Sequence, residues 1–166
     1  MMKSKDNTRV FLKHPVAFFL TMVVAGLLSG MSTCFAQTIT PVDEFSFGSF
    51  AIKDNTARHM LRVSRTGGVT ADPEFIIFSG PTPAEYNLSG FPAFTPLNVT
   101  IPDSTVTSGG GGAGFTLESF TPTPSLTTDG SGNATLLIGA SLYTSGNSAL
   151  YVDGAFSGTI DITITY

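Results

Sequence analysis

The chain closes on twelve residues, Ala155-Phe-Ser-Gly-Thr-Ile-Asp-Ile-Thr-Ile-Thr-Tyr166, in which apolar and polar side chains alternate. Phe156, Ile160, Ile162, Ile164 and Tyr166 share one face, and Ser157, Thr159, Asp161, Thr163 and Thr165 share the other. Successive side chains of a strand point to opposite faces, so a period of two predicts a half-buried β-strand over Ala155–Tyr166. A chain that ends inside such a strand has its carboxyl end built into the fold. The sequence predicts the apolar face of this segment to be sealed between sheets.

The other end reads as an address. Lys3, Lys5, Arg9, Lys13 and His14 form a basic leader, Val16–Leu28 is an uncharged apolar run, and Cys34-Phe-Ala36 precedes Gln37. This is the pattern of a secretory signal peptide, residues 1–36, cleaved after Ala36. The apolar run is short for a membrane span of about 20 residues, so no integral membrane segment is expected after cleavage. Cleavage removes Cys34, the only cysteine; were Cys34 instead acylated, the protein would be a lipoprotein, although Thr33 stands where such signals carry a small residue. In both cases no intrachain disulfide forms, and the core holds the fold unaided.

Residues 37–166 form a single predicted domain, of a size that buries about two-thirds of its unfolded surface. Within it the basic residues are Lys53, Arg58, Arg62 and Arg65 against eleven acids, a net charge of −7. That balance opposes a nucleic-acid groove or a polybasic membrane contact. The localisation expected is the periplasm, cell surface or medium.

Between the ends, short apolar segments are punctuated by Gly, Pro, Asn and Asp, which is an all-β pattern. Strands are expected at Glu44–Phe50 (Phe45 and Phe47 alternating), His59–Ser64, Glu74–Ser79, Glu85–Leu88, Leu97–Ile101, Phe115–Phe120, Ala134–Tyr143 and Ala149–Val152, followed by the terminal segment. Phe75-Ile-Ile-Phe78 is apolar on both faces and reads as a central, doubly buried strand. Thr66-Gly-Gly68, Asp129-Gly-Ser-Gly-Asn133, Gly146-Asn147 and Asp153-Gly154 read as turns, and Thr107–Gly114 as a glycine-rich loop. Seven to nine strands at this spacing describe a β-sandwich. With fourteen Phe and no Trp, its core should be rich in phenylalanine.

Phe45-Ser-Phe-Gly48, Phe75-Ile-Ile-Phe-Ser-Gly80 with Tyr86-Asn-Leu88, Phe115–Phe120, Ala134-Thr-Leu-Leu-Ile-Gly-Ala-Ser-Leu142 and Gly154–Tyr166 occur in an order that resembles a secreted bacterial family, domain of unknown function 4402. That family is similar to spore-coat-U-type and archaic chaperone–usher pilin domains. The resemblance implies an immunoglobulin-like, pilin-like sandwich exported by Gram-negative bacteria, without known catalysis. Pilins of this kind lack one strand and are completed by an extended segment from a neighbour, a form of β-augmentation. They also end with glycine twelve residues before an aromatic, as Gly154 and Tyr166 do here, although the pilin aromatic is usually penultimate and Tyr166 is last. The segment ahead of Phe45 is short for a donor strand, and the pilin disulfide has no counterpart.

Candidate chemistry is sparse. His59 is the one histidine after the leader, with no Gly-x-Ser-x-Gly motif and no cysteine beside it, and a solvent-facing strand position is expected. Asp129–Asn133 offers oxygens as a calcium loop does, but its twelfth position is Ala140 where a bidentate glutamate is needed. Gly109–Gly112 lacks the Lys-Ser/Thr of a phosphate loop. Arg58 and Arg62 are expected on one strand face, paired with the protein's own acids. The sequence thus predicts no catalytic residue, metal or cofactor.

The leading expectation is a non-enzymatic subunit that acts by sheet-edge pairing through Phe45, Phe47, Phe156, Ile160, Ile162, Ile164 and Tyr166, with a periplasmic chaperone or copies of itself as partner. A self-sufficient glycan-binding module using Tyr86, Phe91 and Phe94 is the first alternative. A small outer-membrane barrel is the second.

Overall fold

The computed structural model describes residues 36–108 and 112–166. The segment expected to be a signal peptide, up to residue 35 and with Cys34, and the centre of the glycine-rich loop lie outside the described residues. The described chain is all β, with twelve short strands and no helix: β1 (Thr38–Asp43), β2 (Ser49–Ile52), β3 (Met60–Val63), β4 (Val69–Ala71), β5 (Phe75–Ser79), β6 (Ala84–Ser89), β7 (Asn98–Thr100), β8 (Ser104–Ser108), β9 (Phe115–Pro122), β10 (Ala134–Tyr143), β11 (Phe156–Ser157) and β12 (Thr163–Thr165).

The organising element is β10, predicted with the same boundaries from its alternation. Leu136, Ile138, Ala140 and Leu142 all point inward and are buried. On one edge β10 pairs with β9; on the other it pairs first with β6, over Ala134–Ile138, and then with β3, over Ala140–Tyr143. Gly139 marks the change of partner. A Cβ there would lie 2.5 Å from the Arg65 nitrogen and 2.6 Å from the Val63 oxygen, because the chain leaving β3 crosses the strand at that point. Glycine in a strand interior commonly marks such a close backbone approach.

The large antiparallel sheet runs β1-β6-β10-β9-β8-β11, with β3 beside β10 and β4 beside β3. This is an open path, so the expected alternative of a closed barrel, which has no edges, does not describe it. Two separate ribbons, β12-β7 and β2-β5, supply the opposing layer. Between the layers lie two apolar clusters. The first joins Ala84, Leu88, Leu136 and Ile138 of the large sheet to Phe91, Leu97 and Leu126, with Val99, Ile162 and Ile164 of the first ribbon and its approach packed on it. The second joins Leu61, Val106, Phe115, Leu117 and Leu142 to Phe75, with Phe50, Ile52, Phe156 and Ile160 against it. The core is phenylalanine-rich on the second side, where Phe115 meets Phe50 and Phe156 edge-on at 5.6 and 5.0 Å.

Several expectations are corrected. The terminal segment is two short strands rather than one: β11 pairs with β8 and β12 with β7, while residues 158–162 have no ladder partner among the described residues. It crosses from one cluster to the other, and no single neighbour runs alongside its whole length. Phe156, Ile160, Ile162 and Ile164 are half-buried on the core side, whereas Tyr166 is 60% exposed. Phe75–Phe78 is not central: β5 pairs with β2 in a two-stranded ribbon, only Phe75 is buried, and Phe78 is 70% exposed. An apolar run fits a doubly buried strand, but it equally fits a strand of a two-stranded ribbon whose apolar side chains stay largely exposed. Ala149–Val152 forms no strand, and Glu44–Phe50 gives way to a single bridge, Ser46 to Thr82, ahead of β2. β1, β4 and β8 went unforeseen.

Candidate functional site

The N-terminal and C-terminal stretches of the domain run along two sides of an open groove of about 840 Å³. Residues 44–55 form one wall and residues 149–160 the other; Val106, Phe115, Leu117 and Leu142 of the large sheet form the floor. The floor is apolar because each strand beneath it presents its inward-facing positions, and all four side chains are buried against the second cluster. The first wall is built around Phe47, Phe50 and Ile52, which pack on that cluster from the ribbon side. The second wall carries Tyr151, which stacks on Phe115 with ring centroids 4.4 Å apart, and Phe156. Phe78 reaches the groove from β5.

Both walls carry backbone without partners. Among the described residues β2 is bonded only to β5, and residues 158–162 join no ladder. Unpaired N–H and C=O groups beside an exposed apolar floor form a template for another strand. The 149–155 stretch is anchored without strand bonding: Asn55 Nδ2 donates to the Ala149 oxygen at 2.8 Å, Asn55 Oδ1 accepts from the Gly146 nitrogen at 2.9 Å, and the Ser145 nitrogen donates to the Tyr151 hydroxyl at 2.8 Å. One asparagine side chain thus ties the second wall to the first.

Of the seven residues expected to form pairing elements, the structure brings Phe45, Phe47, Phe156 and Ile160 to this groove. Phe45 and Phe47 meet edge-on at 5.0 Å but pack on different clusters. Ile162, Ile164 and Tyr166 lie beyond it, at the first cluster, where Tyr166 meets Phe91 edge-on at 5.6 Å and its hydroxyl accepts a hydrogen bond from the Gln37 side chain. The floor residue Val106 was not foreseen, because β8 (Ser-Thr-Val-Thr-Ser) offers only one apolar side chain to the eye.

The polar candidates fall elsewhere. His59 is not solvent-facing: its side chain is 14% exposed, with Nδ1 3.3 Å from Glu74 Oε2 and 3.9 Å from Asp72 Oδ2, and its Nε2 is buried without a partner among the described residues. It sits just before β3, so the strand's outward face does not reach it. Arg58 pairs with Glu118 and lies 4.0 Å from the centre of the Tyr143 ring, a cation–π contact. Asp129 heads a turn, its carboxylate accepting from the Asn133 and Ser131 nitrogens at 2.9 and 2.8 Å; these bonds hold its pKa below the usual 3.8. Asp54 is lowered likewise by the Thr56 hydroxyl and backbone N–H. Among the described residues no three His, Cys, Asp or Glu side chains are grouped to hold a metal ion, and no helix is long and apolar enough to cross a membrane.

No curated protein and no solved structure matches the chain. A family model described as Domain of unknown function (DUF4402) matches residues 38–166, which takes in every strand, both walls of the groove and its floor. The chain belongs to the DUF4402 family.

Proposed function

We propose that this protein is a non-enzymatic, exported assembly subunit that receives an extended segment of another polypeptide in the groove between residues 44–55 and 149–160. The observation that carries the reading is the coincidence of three features in one place: an apolar floor, two walls with unpaired backbone, and a volume of about 840 Å³. A guest strand laid there would place alternate side chains on Val106, Phe115, Leu117 and Leu142 and bond its backbone to a wall. Main-chain bonding would supply affinity, and the floor would select side chains at every second position. A periplasmic chaperone or a second copy of this chain fits the role, since either covers an edge that otherwise invites aggregation. The basic leader, apolar run and Ala36–Gln37 junction support export.

The test is sedimentation velocity of the purified protein over a wide concentration range, paired with thermal unfolding. The expected result is association, or aggregation relieved by a partner, with unfolding that sharpens on association. A monodisperse monomer that unfolds cooperatively at every concentration contradicts the reading.

A further inference from the structure

Phe94 stands apart from the groove, in the loop between β6 and β7, and it breaks two local rules at once. Its backbone is left-handed, with φ at 52°, a region that a bulky side chain rarely adopts. Its ring is also 75% exposed, so burial does not explain the conformation. The loop is held rigidly in place by the segment before β10. The Phe91 nitrogen donates to the Gly132 oxygen, the Phe94 nitrogen to the Asp129 oxygen and the Leu97 nitrogen to the Leu126 oxygen, at 3.3, 3.2 and 2.7 Å. Thr128, only 2% exposed, accepts from the Thr95 nitrogen at 2.8 Å and donates to the Pro92 oxygen at 2.6 Å. Strain that the surroundings enforce at an exposed position points toward function.

The ring lies over Gly130, where a Cβ would come 3.0 Å from the ring's Cζ, so glycine at 130 gives it room to lie there. The same Asp129–Asn133 turn borders a second pocket of about 390 Å³, in the range of roughly 300–1,000 Å³ that holds small molecules, lined by Asn87, Ser89, Asp129, Asn133 and Thr135 with Leu88 and Ala134. Asn87 and Thr135 are paired across β6 and β10 and both are exposed. The pocket wall therefore offers amides and hydroxyls, which donate and accept, and one carboxylate, which accepts. It holds no basic side chain, and that disfavours phosphate, sulfate and uronate groups.

We propose that this end of the sandwich is a binding subsite for a neutral oligosaccharide. The Phe94 ring receives the C–H face of one pyranose, and the pocket bordered by Asn87, Asn133 and Thr135 bonds the hydroxyls of the next. An aromatic ring over one residue of the Asp129–Asn133 turn, and polar side chains in a pocket bordered by the same turn, match the two-sided chemistry of a sugar, apolar on its ring face and polar around its rim. Rigid loops keep the ordering cost of binding low. The subsite is independent of the groove and holds whether or not the groove receives a strand.

The test is an array of neutral and acidic oligosaccharides probed with the purified protein, followed by NMR titration with the best neutral hit. The expected result is a neutral hit that shifts the Asn87, Phe94 and Asn133 resonances, with Phe94→Ala weakening it by about tenfold. Phe94→Gly should weaken binding equally while leaving the melting temperature unchanged or higher, because glycine accepts the positive φ. Phe78→Ala, at the groove, should leave binding unchanged. The proposal is overturned if no neutral glycan binds, if only acidic glycans do, if either Phe94 substitution leaves affinity intact, or if Phe94→Ala alters self-association rather than glycan binding.

Discussion

The two halves of the core are built from the same materials but closed to different degrees. Around the first cluster, the β12-β7 ribbon lies over the sheet, Tyr166 and Phe91 cap the end, and Ala84 and Leu136 are completely buried. Around the second, the opposing β2-β5 ribbon leaves a groove, and the C-terminal segment beside it has lost its ladder at residues 158–162. Both halves hang from one strand, β10. The difference therefore arises not from the central strand but from whether the layer facing it is complete. An open half in an otherwise well-packed sandwich is where a further strand would be placed.

The largest effect should come from the joint between the halves. Gly139→Val would drive a side chain into the backbone of Val63–Arg65, which cannot yield as a flexible side chain would, and a loss of more than about 4 kcal/mol is expected, read as absence of folded protein by circular dichroism. Next, the halves should respond unequally to the same truncation. Leu136→Ala, in the closed half, should cost about 3–5 kcal/mol by urea unfolding, whereas Leu117→Ala, on the groove floor, should cost about 2 kcal/mol, since the site already borders open space. Equal losses would break the comparison. Phe78→Ser should change stability by less than about 0.5 kcal/mol, the ring being mostly exposed, yet reduce self-association measured by sedimentation.

The smallest effect concerns acid. Asp129 has its folded pKa lowered by the Asn133 and Ser131 N–H groups, so its contribution is fully present above the ordinary value of 3.8 and is lost as pH falls through the lower folded value. Asp129→Asn should therefore flatten the decline of stability with pH in that range by lowering stability slightly at neutral pH while leaving the strongly acidic value near that of the parent, as urea midpoints across pH would show. A decline as steep as that of the parent would contradict the assignment.

Legibility in the sequence followed burial pattern. β10 was readable to its last residue because Leu136, Ile138 and Leu142 keep a strict period of two, and β3 because Leu61 and Val63 flank Arg62. β1 was invisible: the side chains of Thr38-Ile-Thr-Pro-Val-Asp43 are all exposed, and the strand is recognised by its backbone ladder to β6, which leaves no trace in side-chain type. β5 was misplaced because four consecutive apolar residues do not distinguish a strand covered on both faces from one in a two-stranded ribbon left largely exposed. The groove's Phe45, Phe47, Phe156 and Ile160 were legible from alternation. The groove itself was not, since Ala149–Val152 forms no strand and is held instead by contacts such as the Asn55 side chain on the Ala149 oxygen, ninety-odd positions away in the chain.

The claim that the groove accepts a strand is tested most directly by amide hydrogen exchange at Phe50–Ile52 and Gly158–Ile160, compared between the isolated protein and its assembled form. The account predicts rapid exchange at Gly158–Ile160 in the isolated protein and strong protection there on assembly, with added protection along the first wall. Protection already complete in the isolated protein, or unchanged on assembly, would contradict it.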